Sequence, residues 1–265
     1  MARLAQKSFV ITGAGSGIGR ASALKAAAEG ATVAVLDLDG GQARATADVV
    51  GEAGGVAMAL SVDVTDEEQL AEAMTAVVER HGAITTLVNC AGGSIAEDAP
   101  VTDVDLAVWD HTINLDLRGT FLACRTAIPH IAAAGGGTIV NFTSVVALKG
   151  AFRGHVYTAA KGGIISLTQA LAGRYWRDNI RANAIAPGIV LSDRVRNRLD
   201  LPADAPFVEQ VETAMPGNRR LVDERHPFGY GVPDDIANIV VFLASDESRM
   251  VNGAVIPAEG GAVAY

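Results

Sequence analysis

The chain has 265 residues, a formal net charge of −9, and 49% hydrophobic against 19% charged residues. This length is near the upper size for one hydrophobic core, and the composition excludes a disordered chain. The acidic balance argues against nucleic acid as a partner, and no apolar run reaches the roughly 20 residues that span a bilayer.

The N-terminus "MARLAQKSFVITG" runs almost directly into an apolar segment and leaves no room for a signal peptide. Cys90 and Cys124, the two cysteines, make neither a disulfide framework nor a metal cluster. A cytoplasmic location without a metal is therefore the expectation. "SFVIT" reads as a strand and is followed by a helix over about 18–29. "TVAVLD" precedes a helix over 42–52, and "VAMALSV" one over 67–81. "TTLVNCA" leads through a loop to a long helical segment over 109–131. "GTIVNFTS" is followed by a helix over 157–177, then comes "IRANAIAP". An irregular stretch occupies 192–233. A helix over 234–244 and a last strand, "AVIPAEGG", close the chain.

The strands are apolar throughout rather than alternating, so both faces of their sheet are expected to be covered. A strand–helix repeat of this kind gives a parallel sheet with helices on each side. The chain contains no linker and no internal repeat, so one domain over 1–265 is expected. The stretch over 192–233 is long for a loop, and such segments are often lids.

Between the first strand and first helix lies "TGAGSGIG", Thr12 to Gly19. Glycines there let backbone approach a ligand closely, and the helix start offers free N–H groups to a pyrophosphate. The spacing is not G-x-G-x-x-G, because Ile18 occupies the third glycine's place and Gly19 comes one residue late. A strand-to-helix turn also needs glycine for steric reasons alone. Asp37 ends the second strand, where a carboxylate can accept hydrogen bonds from both ribose hydroxyls of an adenosine and repel a 2′-phosphate. Ser16, Leu38 and Asp39 stand where a cation would attract that phosphate, so NAD is favoured over NADP. A methyltransferase using S-adenosylmethionine would share both the glycine loop and the acid.

"SVVALKGAFRGHVYTAAKGG" separates these classes. Tyr157 and Lys161 are four apart and share a helix face. Ser144 ends the preceding strand. An ammonium stabilises a phenolate and lowers its pKa from near 10, which makes Tyr157 a usable acid/base group at neutral pH. A methyltransferase has no use for the set. A lone Y-x-x-x-K is also a common core tyrosine with a surface lysine. The placement of all three residues near the C-terminal edge of the sheet, with the glycine loop, favours the chemical reading.

With these motifs the chain resembles the short-chain dehydrogenase/reductase family over roughly 7–261. That family's T-G-x-x-x-G-x-G is matched by Thr12, Gly13, Gly17 and Gly19, and Asn-x-Ala-Gly by Asn89, Cys90, Ala91 and Gly92. The resemblance implies a doubly wound α/β (Rossmann) fold with about seven mainly parallel strands, and a homotetramer. It implies that Gly13, Ser16, Gly17, Ile18, Gly19 and Asp37 hold NAD, and that Asp63 and Val64 meet the adenine. Asn89 also belongs to this set, with a second reading as a strand tie, and Pro187, Val190 and Ser192 lie near the nicotinamide. Asn114, in "INLDLRG", takes the place of a proton-relaying asparagine beside Ser144, Tyr157 and Lys161. Asp63 also reads as a turn or cap residue. His155, two residues before Tyr157, is a candidate substrate contact, and Phe152 and Ser94 are further pocket candidates. The arginines of the 192–233 stretch, interspersed with acids, read as solvated pairs. The implied activity is hydride transfer between a secondary alcohol or ketone and NAD. A 3-oxoacyl-thioester reductase is the alternative within the family, and a non-catalytic cofactor-sensing regulator the alternative outside enzymes.

Overall fold

The computed structural model describes residues 2–150, 152–198 and 230–263. Seven strands form one sheet: β1 (Ser8–Thr12), β2 (Thr32–Asp37), β3 (Val56–Ser61), β4 (Thr86–Asn89), β5 (Gly137–Phe142), β6 (Ile180–Pro187) and β7 (Val255–Ala258). Their order is β3-β2-β1-β4-β5-β6-β7, and every pairing is parallel. Among the described residues the α-helices are α1 (Gly17–Ala28), α2 (Gly40–Glu52), α3 (Glu67–His81), α4 (Leu106–Thr112), α5 (Gly119–Ala133), α6 (His155–Tyr175), α7 (Asp193–Arg198) and α8 (Pro233–Ala244). Most of the expected lid over 192–233, residues 199–229, lies outside the described residues.

Why the strands lack polar alternation is visible in the packing. In β1, Val10 joins the core on one sheet face with Leu36, Leu70, Met74 and Leu87. Its neighbours Phe9 and Ile11 join the core on the other face with Val33, Val140 and Val240. Helices α3 and α5 pack together, as do α1 and α8, so central strands are apolar on both sides. The edge strands differ: β3 and β7 are only partly buried. Continuous apolar sequence therefore overstated the cover on the two rims.

The helical segment expected over 109–131 is one run with an interruption. Between α4 and α5, residues Ile113–Arg118 form a π-helical turn. Such wide turns recur at functional positions, and this one packs against α6. It carries Asn114 and Asp116. The strand order reverses between β1 and β4, and ligands of open α/β sheets bind in the crevice at the carboxyl ends of the strands flanking that point.

Candidate active site

The glycine loop leaves β1 at this switch point. Gly13 has φ +63°, and a Cβ there would meet the Ala91 backbone at 2.8 Å. A Cβ on Gly19 would collide with the carbonyl oxygen of Gly13. This contact gives the physical reason for the late glycine: the residue that packs the helix onto the loop is 19, and Ile18 instead faces the crevice. Thr12 Oγ1 accepts the Cys90 and Ala91 amides at 3.2 Å each, which ties the loop to the end of β4.

Helix α1 begins without a side-chain cap from Ser16 and without an acid in its first turn. Helices α2, α3 and α4 are instead capped by Asp39, Asp66 and Asp105. Beside the loop, Asp37 Oδ2 accepts the Gly15 amide at 2.9 Å and its Oδ1 the Asp39 amide at 3.0 Å. A cavity of about 630 Å³ opens next to the loop, lined by Ile18, Ser144, Tyr157, Lys161, Pro187 and Val190, a volume usual for ligand pockets. Ser192 also lines it and lies 3.4 Å from where a Cβ on Gly17 would stand. Free helix N–H groups, a close-approach loop and a strand-end carboxylate together fit a dinucleotide.

The reactive side chains come from two elements. Ser144 follows β5, is buried, and accepts the Val146 amide at 3.4 Å. Tyr157 and Lys161 come from α6, with the Lys161 nitrogen 5.4 Å from the centroid of the tyrosine ring. Phe152 meets the same ring edge-on at 6.2 Å, and Ser94 also lines the cavity. Lys161 donates to the Phe142 carbonyl at 3.1 Å and pairs with Asp116 Oδ1 at 2.8 Å. Both partners are buried. Burial works against the ammonium, but Tyr157 and Asp116 together outweigh it and hold the lysine pKa above its ordinary value.

The remaining sequence candidates have partners of their own. Asn114 does not meet Lys161. Its Oδ1 accepts from Arg118 at 3.0 Å, and the same Arg118 nitrogen donates to the Thr65 carbonyl. The π turn brings Asp116 to the lysine instead, two residues further on. Asn89 is buried, and its amide donates to Asn141 at 2.8 Å, so its side chain ties β4 to β5. Asp63 Oδ1 accepts both the amide and the hydroxyl of Thr65 at 2.8 Å, while its own N–H donates to Gln69. That is a local turn, with Val64 buried behind it against Gly119. His155 is exposed at the start of α6, outside the cavity lining. Its Nδ1 accepts the Val101 amide at 3.0 Å. Among the lid arginines, Arg194 lines the cavity and donates to the Gly92 carbonyl at 3.2 Å, whereas Arg219, Arg220 and Arg225 fall outside the described residues.

Two residues escaped the sequence reading. Asp116 offered no signal beyond its place in "INLDLRG". Asp98 is buried and accepts the Val156 and Tyr157 amides at 3.2 and 2.9 Å. It thereby anchors the first turn of α6, a partner that only a loop 58 residues upstream could supply. Asp98→Ala is expected to cost about 1–3 kcal/mol of stability and to lower turnover several-fold. Urea unfolding and steady-state rates would measure the two. Cys90, at the cavity wall, has its thiol pushed up to about 12, chiefly by burial, with Lys161 and Arg194 pulling weakly the other way. It stays a neutral thiol near pH 7.

Comparison with known proteins assigns the class. A family model described as "Enoyl-(Acyl carrier protein) reductase" matches residues 13–263. A 2-(S)-hydroxypropyl-CoM dehydrogenase 3 from Xanthobacter autotrophicus is 39% identical over 99% of this chain and 98% of its own. A cis-4-hydroxycyclohexanecarboxylate dehydrogenase from Sinomonas cyclohexanicum is 37% identical over 97% of this chain and 96% of its own. A solved carveol dehydrogenase from Mycobacterium avium, in complex with NAD, superposes with a TM-score of 0.86 at 30% identity, covering 100% of each chain. The protein is therefore an oxidoreductase that uses a nicotinamide cofactor. More particularly, the chain belongs to the short-chain dehydrogenase/reductase family. Among the described residues, no helix is long and apolar enough to cross a membrane.

Proposed function

We propose that the protein is an NAD-dependent dehydrogenase of a small secondary alcohol, or in reverse a reductase of the ketone, with Tyr157 as the acid/base group. The observation that carries this reading is the buried Lys161 beside the Tyr157 ring, both facing the cavity at the carboxyl edge of the sheet. In oxidation the Tyr157 oxygen takes the hydroxyl proton. Ser144 donates a hydrogen bond to the same substrate oxygen and fixes its position. Lys161 places its ammonium beside the Tyr157 ring, where the phenolate charge develops. The glycine loop and the free start of α1 would hold the pyrophosphate, Asp37 the adenosine ribose, and Pro187, Val190 and Ser192 the nicotinamide end. The bound nicotinamide would supply the hydride acceptor.

The choice of NAD rests on Asp37. Its carboxylate is fixed by two backbone amides at the loop, where a 2′-phosphate would meet like charge. Asp37→Ala is expected to tighten NADPH binding about tenfold and to weaken NADH, as followed by nicotinamide fluorescence; a tenfold change corresponds to about 1.4 kcal/mol. No gain for NADPH would mean that the 2′ position is read elsewhere.

The relatives are named as dehydrogenases of 2-(S)-hydroxypropyl-CoM and of cis-4-hydroxycyclohexanecarboxylate, which supports a secondary alcohol of modest size. A panel of secondary alcohols with NAD, read at the reduced-nicotinamide band, tests this. Turnover confined to 3-oxoacyl thioesters with NADPH would favour the acyl-reductase alternative instead. A homotetramer in the cytoplasm completes the proposal. The exposed Trp109 on α4 and Phe121 on α5 and the half-covered edge strand β7 are surfaces for subunits to bury. Gel filtration is expected to give a mass near four times 27.3 kDa, and a single-subunit mass removes the expectation.

A further inference from the structure

We propose that Asp116 is a positioning residue that counter-charges Lys161 and thereby sets the pH at which Tyr157 exchanges its proton. The inference rests on the acid/base reading of Tyr157 given above. One ammonium serves two partners here. Its nitrogen lies 2.8 Å from Asp116 Oδ1 and 5.4 Å from the Tyr157 ring centroid. A lysine facing the phenol alone would spend its whole field on the phenolate. A carboxylate in direct contact cancels much of that field, because two opposite charges close together act at a distance as a dipole.

The geometry keeps Asp116 in this role. Its side chain is fully buried, and Oδ1 also accepts the Gly93 amide at 3.0 Å. Oδ2 has no hydrogen-bond partner among the described residues, so the charge is countered chiefly from the lysine side. The residue sits in the π turn, where its position is set by a backbone packed against α6. The other charged or titratable groups that line the cavity or flank the pair have partners of their own, and the charges of Lys149 and Arg194 in the cavity wall are unchanged by a substitution at Asp116. Asp98 is spent on the two α6 amides. Lys149 donates to the Ala262 carbonyl, Arg194 to that of Gly92, and His155 faces Val101 outside the cavity. Cys90 is held as a neutral thiol, and Asp37 stands at the glycine loop. Asp116 is the ion-pair partner of Lys161 among the described residues.

Asp116→Asn tests the charge while keeping an oxygen for the Gly93 amide. Tyrosinate absorbance near 295 nm is titrated in the full chain, with the corresponding Tyr157→Phe protein subtracted in each background. The same variant's kcat/KM for alcohol oxidation is followed against pH. Both midpoints are expected to fall by about one pH unit, as for loss of a nearby like charge. Midpoints that stay put or rise overturn the proposal. If the asparagine variant does not fold, Asp116→Ser is read in the same way. The absorbance titration needs no turnover. A fully active Tyr157→Phe enzyme would sink the acid/base reading, whereas an unmoved midpoint sinks only the role of Asp116.

Discussion

Tyr157→Phe is expected to lower kcat/KM for alcohol oxidation by about 10³-fold, within the range that general acid–base groups contribute, and to leave NADH affinity within about threefold. The phenyl ring keeps its edge contact with Phe152 and its place at the start of α6, where Asp98 holds the backbone amides. Only the hydroxyl is lost, and with it the group that exchanges the proton. Stopped binding titrations by fluorescence and steady-state rates separate the two quantities. A variant with wild-type turnover would leave the proton without its proposed carrier.

Lys161→Met is expected to lose activity and also about 3–5 kcal/mol of stability, the usual consequence of removing one partner from a buried ion pair. Lys161 is 4% exposed and Asp116 0% exposed. The methionine fills the stem's volume but leaves the carboxylate without its cation. Combining Lys161→Met with Asp116→Asn is expected to restore a large part of the stability and none of the activity. Urea unfolding of the four proteins gives the coupling directly. If the double variant is no more stable than Lys161→Met alone, the cost belongs to lost packing and to the Phe142 hydrogen bond rather than to an orphaned charge.

The folded-state pKa of Lys161 is raised above its ordinary value because Tyr157 and Asp116 together outweigh burial. A raised lysine favours folding below the unfolded pKa, and its contribution is lost as the pH climbs through the folded one. The alkaline limit of stability in the wild type should therefore lie above pH 10.5 for this group, and Asp116→Asn should bring it down.

Much of this molecule follows from local sequence. The runs "SFVIT" and "IRANAIAP" coincide with β1 and β6, the first because an apolar β-branched run bounded by turn residues has few other uses. Helix α3 spans the anticipated residues, since Asp66 caps it and Gly82 ends it in a left-handed turn. Tyr157 and Lys161 were legible because a spacing of four places two side chains on one helix face. The glycine loop was legible because its backbone must pass close to the β4 end.

What sequence alone determined was the order of strands and helices, and the tyrosine, lysine and serine brought to one edge. These depend on periodicities of two and 3.6 residues and on glycine sterics, which act over short spans. The tertiary structure alone decided which of two nearby polar residues faces the lysine. A single π turn sets Asp116 against the lysine while Asn114 pairs with Arg118, and a widened turn depends on what packs against it rather than on its own letters. It also took Asn89, Asp63 and His155 into hydrogen bonds with Asn141, Thr65 and Val101, and brought Asp98 to the start of α6. Polar partnerships are set by distance in space, and a one-dimensional pattern carries no measure of that distance.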